Sequence, residues 1–122
     1  MSNRVVHFEI PASDPLRCMS FFKDVFGWRF QQMGGESYWF AISGDESTPG
    51  INGAVMKEVG PGQPVINTIE VDDIDAMSQT IIEQGGKIVK PKRAVLTIGW
   101  IAFFSDPEGN MHCILQPDAN AR

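Results

Sequence analysis

No apolar run in this chain of 122 residues approaches the ~20 residues that a membrane span needs. A membrane-spanning helix is therefore excluded, and no membrane partner is expected. Cysteine is scarce. The only two, Cys18 and Cys113, stand far apart and outside any Cys-x-x-Cys pair, which rules out a disulfide framework and a zinc ribbon. Both read as reduced, mostly buried thiols. Positive charge is short as well: 10 Lys and Arg stand against 15 Asp and Glu, for a net charge of -5. A nucleic-acid binder needs a basic footprint, so no nucleic-acid partner is expected. The one basic cluster, Lys87, Lys90, Lys92 and Arg93, falls at strand spacing and reads as a solvated sheet edge that discourages aggregation. A glycine-rich phosphate loop is missing: Gly50-Ile51-Asn52-Gly53 is too short and opens no helix, so it reads as a turn or bulge. No Ser-His-Asp pattern stands out. Met1-Ser2-Asn3-Arg4 runs straight into a strand-like stretch without the parts of a signal peptide, and a soluble cytoplasmic protein is the expectation.

What is present is a repeat, in a chain whose 43% hydrophobic content suffices for a sizeable core. Val5-Val6-His7-Phe8-Glu9-Ile10 alternates, with Val6, Phe8 and Ile10 on one face and His7 and Glu9 on the other. Asp14-Pro15 supplies an N-cap and a first-turn proline. Cys18, Phe21, Phe22, Val25 and Phe26 recur at helical spacing, and Gly27 stops the helix. Strands are predicted over 28–33, 36–43 and 51–57. After a linker at 60–64 the order returns. A strand spans 65–71, and Asp72 or Asp73 caps a helix with Ile74, Met77, Ile81 and Ile82 on its apolar face. Gly85-Gly86 ends that helix, and strands follow over 87–89, 99–104 and 111–116.

The fold class is therefore α+β. Two tandem βαβββ modules, at approximately 4–58 and 64–117 of a single domain 1–122, are expected to form a curved, partly open mixed sheet around a cavity, with the helices outside. In each module the helix covers one sheet face. The other face, carrying His7 and Glu9 among apolar neighbours, suits a partly wet trough.

Several phrases resemble the glyoxalase/bleomycin-resistance group of the vicinal-oxygen-chelate superfamily. They are His7-Phe8-Glu9-Ile10, Asp14-Pro15, Phe21 to Trp28, Val71 to Ala76, Gly85-Gly86-Lys87, and Phe104-Ser105-Asp106-Pro107-Glu108-Gly109-Asn110. The resemblance covers nearly the whole chain, and the proteins related to lactoylglutathione lyase look most similar. The Asp-Pro-Glu-Gly turn has its own logic: Pro107 fixes φ and Gly109 supplies left-handed freedom, so its role is structural.

The resemblance implies a possible divalent metal on four strand residues. His7 falls on the first position. The second falls within Ala54-Val55-Met56-Lys57, without an evident ligand, and the third on Ile66 or Asn67. The fourth falls on Cys113, with His112 pointing to the opposite face. One imidazole and one thiolate do not select the ions such enzymes use, so only His7 matches and a complete metal site is not expected.

The cavity lining is expected from His7, Glu9, Trp39, Thr68, Trp100 and Cys113. His7 and Glu9 are the catalytic candidates, because a carboxylate beside an imidazole can form an acid–base pair. Trp39 and Trp100 offer flat surfaces for an aromatic ligand. The leading reading is a binding protein for a small hydrophobic or aromatic molecule. The alternatives are a metal-dependent glyoxalase-like lyase, isomerase or dioxygenase with atypical ligands, and a module that binds a protein on its concave face. The resemblance also implies a homodimer.

Overall fold

The computed structural model describes residues 2–122. In chain order the elements are β1 (Val5–Ala12), α1 (Pro15–Phe26), β2 (Arg29–Gln32), β3 (Tyr38–Ile42), β4 (Gly53–Lys57), β5 (Ile66–Glu70), α2 (Ile74–Glu83), β6 (Lys87–Val95), β7 (Gly99–Ser105) and β8 (Met111–Pro117). The fold is α+β, two βαβββ modules with mixed strand pairing. The compact units are His7–Val65, and Ile66–Arg122 together with the described residues up to Val6.

In the first unit the strand order is β2-β3-β4-β1. Strand β1 pairs parallel with β4, and the other neighbours are antiparallel. The Asp14 carboxylate accepts from the Arg17 amide at 3.1 Å, which satisfies an amide that the first helical turn leaves without a partner. Pro15 opens α1. Gly27, with φ 75°, takes the left-handed cap and donates to the Lys23 carbonyl at 2.9 Å. The helix packs through aromatic rings. Trp28 stacks on Phe22 with centroids 4.7 Å apart and meets Phe8 of β1 at 5.7 Å, while Met19 is buried. Alternation along β1 then turns His7 and Glu9 to the face without a helix. Leu16, Phe21, Val25 and Phe26 of α1 stay exposed.

The second unit repeats the arrangement as β5-β8-β7-β6, with β5 parallel to β8. Of the two candidate caps it is Asp73 that serves, accepting from the Ala76 amide at 3.0 Å. Its core is aliphatic. Val71, Ile74, Ala102 and Ile114 are buried, ringed by Ile69, Met77, Ile81, Trp100 and Phe104. Burying a side chain such as Ile74 stabilises the fold by about 2 kcal/mol.

Strand β6 departs from expectation. It runs on to Val95, whereas the sequence suggests an end at Val89. Pro91 lies within it, although a proline cannot donate to a ladder. In the structure β6 is the terminal strand of its unit, and its register with β7 shifts between Ile88 and Lys90 and again between Lys90 and Arg93. Pro91 sits in the second shift, where no ladder bond is lost.

Candidate functional site

The chemistry of the first unit gathers on its helix-free face. Strand register decides which residues share that face. Glu9 lies beside Ala54, which lies beside Phe40; Pro11 lies beside Met56, which lies beside Tyr38. His7, Glu9, Ala54, Met56, Tyr38 and Phe40 therefore point the same way. The Tyr38 hydroxyl donates to Glu9 Oε2 at 2.7 Å and lies 2.9 Å from His7 Nε2. A phenol has one proton. With that proton directed at Glu9, the hydroxyl can accept from His7 in the tautomer that carries its hydrogen on Nε2. His7 Nε2 and Glu9 Oε2 are 3.7 Å apart, and each side chain keeps about a quarter of its surface exposed. Phe40 meets the Tyr38 ring edge to face at 5.6 Å. The result is a polar chain, imidazole to phenol to carboxylate, reachable by solvent and bordered by an aromatic ring and a thioether.

Tyr38 is not among the cavity residues expected from the sequence. Trp39 itself faces the other way. It is paired with the fully buried Val55 and shares the face of Ile10 and α1. Trp100 likewise packs with the core against α2, where its indole N–H donates to Asp118 at 3.0 Å. That bond, after the Asn120 amide, holds the Asp118 carboxyl below the ordinary aspartate range. Alternation from Tyr38 and from Phe103 thus places both indoles on the helix side.

In the second unit Thr68 and Cys113 are register partners, and Cys113 lies beside Phe103. All three occupy that unit's helix-free face, with Thr68 and Cys113 buried. His112 points the opposite way, stacking on Phe104 and lying 2.9 Å from Asp106. Asp106 organises the β7–β8 turn. It accepts from the Glu108 and Asn110 amides as well, and Gly109 has φ 85°. The His112 hydrogen bond above all, and then these amides, hold the Asp106 carboxyl down at about 2.

A separate groove of about 470 Å³ lies in the first unit at the start of α1. Ala12, Ser13, Asp14, Arg17, Cys18 and Phe21 line it. Burial pushes the Cys18 thiol up, away from nucleophilic chemistry. None of the six residues expected to line a cavity lies on this groove.

Residues 4–114 match the family described as the glyoxalase/bleomycin resistance protein/dioxygenase superfamily. The chain belongs to that superfamily. It is similar to a "Glyoxylase-like domain-containing protein" of Didymella fabae, 27% identical over 93% of this chain and 94% of the relative. It is 31% identical to the "Putative glyoxylase CFP32" of Mycobacterium bovis over 83% of this chain, spanning 41% of that relative's length. The fold resembles the crystal structure of hypothetical protein BH1468 from Bacillus halodurans C-125, with a TM-score of 0.70, 12% identity, and coverage of 100% of this chain and 99% of that one.

Superfamily members that use a divalent ion hold it on strand side chains, and the donors here do not fit one. In the first unit, the β4 residues facing the same way as His7 are Ala54 and Met56, and His7 Nε2 and Glu9 Oε2 both lie against the Tyr38 hydroxyl. The second unit offers the Thr68 hydroxyl, the Cys113 thiol and the Glu70 carboxylate, to which Ser2 donates. Among the described residues no three His, Cys, Asp or Glu side chains group as an ion would require. Among the described residues no helix is long and apolar enough to cross a membrane.

Proposed function

We propose that this superfamily member binds a small apolar or aromatic molecule on the helix-free face of its first module, anchored by His7, Tyr38 and Glu9 and without a complete set of metal ligands. One observation carries the reading: a hydrogen-bonded imidazole, phenol and carboxylate remain partly open to solvent beside Phe40 and Met56. Such a strip offers donors and acceptors at its centre and apolar surface at its margin, the usual make-up of a ligand site.

Tyr38 is the chain's only tyrosine, so its ring resonance reports on this spot alone. In a thermal-shift screen of aromatic compounds, a true ligand raises the melting temperature and moves the Tyr38 ring signal. Tyr38→Phe weakens that ligand about tenfold, the equivalent of one hydrogen bond. Compounds that stabilise the protein while leaving the Tyr38 signal unmoved would sink the proposal. Added Ni, Zn, Mn or Fe leaves the melting temperature unchanged.

A second reading draws on the same hydroxyl. A phenol held between an imidazole and a carboxylate can pass a proton to or from a bound carbonyl compound, as a lyase or isomerase would require. Exchange of a ligand carbon-bound hydrogen with D2O, lost in Glu9→Gln, is its test. In assembly the proposal is a cytoplasmic homodimer; a monomeric mass by light scattering at micromolar concentration refutes the dimer.

A further inference from the structure

The two register shifts in β6 change which side chains it presents. In a regular strand starting at Lys87, alternation would place Lys87, Val89, Pro91 and Arg93 on one face. Each shift inserts one residue. The residues that share a face are instead Lys87 opposite Ser105, Lys90 opposite Phe103 and Arg93 opposite Ile101. Three cations therefore occupy the face that an unbroken strand would have shared between two cations, a valine and a proline. Side-chain contacts agree. Lys90 Nζ lies over the Phe103 ring, 5.5 Å from its centre, on the helix-free side. Lys92 turns to the helix side, over Trp100 at 5.2 Å and 3.0 Å from Asp75.

These three cations have no carboxylate partner among the described residues, and all are exposed. The one carboxylate that the unit's strands place on this face is Glu70, on β5 at the far end of the strand order, where Ser2 donates to it. Beside the cations lies half-buried apolar surface, Ile101 and Phe103, leading to the buried Cys113. The chain as a whole carries a net charge of -5, so a concentration of cations on one strand face is not a general property of its surface.

We infer that this face of the second module binds a small anion with a flat apolar body. The anionic head lies along Lys87, Lys90 and Arg93, and the body lies over Phe103 and Ile101. Nucleic acid does not suit an acidic protein whose only basic stripe is three side chains of one strand. The inference does not depend on the first-module reading, because none of its residues belongs to that unit.

The test uses 1-naphthoate as the probe and its neutral analogue 1-naphthamide as the control, followed by titration calorimetry and amide shifts of β6 and β7. Naphthoate binds, shifts Lys90 and Phe103, and weakens about fivefold when salt rises from ~20 to ~200 mM. The variant K87Q/K90Q/R93Q loses about tenfold in naphthoate affinity. Lys92→Gln, on the other face, changes it less than about twofold. Should the triple variant fail to fold, Lys90→Gln and the salt dependence of the unaltered protein decide. Equal binding of naphthamide, equal binding of inorganic phosphate, or the same loss in Lys92→Gln as in the triple variant would each overturn the inference.

Discussion

In the first module the helix meets the sheet through rings, Phe22 on Trp28 and Trp28 on Phe8, and leaves Phe21, Val25 and Phe26 in water. In the second it meets the sheet through Ile74, Val71 and Ile114, all essentially sealed. The helix-free faces differ as sharply. One carries a phenol between an imidazole and a carboxylate; the other carries Thr68, Cys113 and a row of cations. Strand order and pairing sense are the same in both. The shared topology thus fixes where side chains can go, while register and bulges decide which ones arrive there.

The sharpest way to break the comparison is at the helices. Ile74→Ala empties a sealed position and is expected to cost about 3 kcal/mol. Phe21→Ala, at 57% exposure, is expected to cost less than about 1 kcal/mol. Urea unfolding of the two variants checks the difference; equal losses would mean that the packing contrast has no energetic content. Next comes Tyr38→Phe, which leaves His7 and Glu9 without their shared partner. Partial exposure lets water replace it, so the expected loss is about 1 kcal/mol, against none from Thr68→Val beyond about 0.5 kcal/mol.

The connections before the two closing strands give a third contrast, in pH. In the second module Asp106 is held at about 2, below its ordinary value of 3.8. A depressed carboxylate contributes its stabilisation in full above the unfolded value and loses it as pH falls from about 4 toward 2. In the first module the corresponding loop is tied by the Asn52 amide, which accepts from the Ser43 amide at 2.9 Å and does not titrate. Amide exchange at Glu108 and Asn110 should accelerate below pH 4 and that at Ser43 should not; Asp106→Asn abolishes the acid step. The smallest effect is Lys92→Gln, whose exposed pair with Asp75 and contact with Trp100 together contribute no more than about 0.5 kcal/mol.

Much of this was legible in the sequence. The caps at Asp14 and Gly27, the alternation that sets His7 and Glu9 against Phe8, and the repeated order of elements are all local properties of the chain. Tyr38 was not legible as a site residue. Its meeting with His7 requires knowing that β3 reaches β1 through β4, and in which register, and register belongs to the pairing rather than to either strand. The faces of Trp39 and Trp100 depend on the same pairing. The extension of β6 past Val89 was hidden for a related reason: Pro91 is accommodated by a register shift that belongs to the pairing with β7.

The parallel pairing of first with last strand has a consequence for the order in which the molecule forms. Glu9 meets Ala54, and Thr68 meets Cys113, at the same sequence separation. Each pairing must wait until the ribosome has released the final strand of its half, and each closes a loop of the same length. The chain-entropy barrier is then equal for both. With that closure matched, the aromatic and aliphatic helix packing is left to separate the halves, so swapping the helices between them should shift their relative refolding rates.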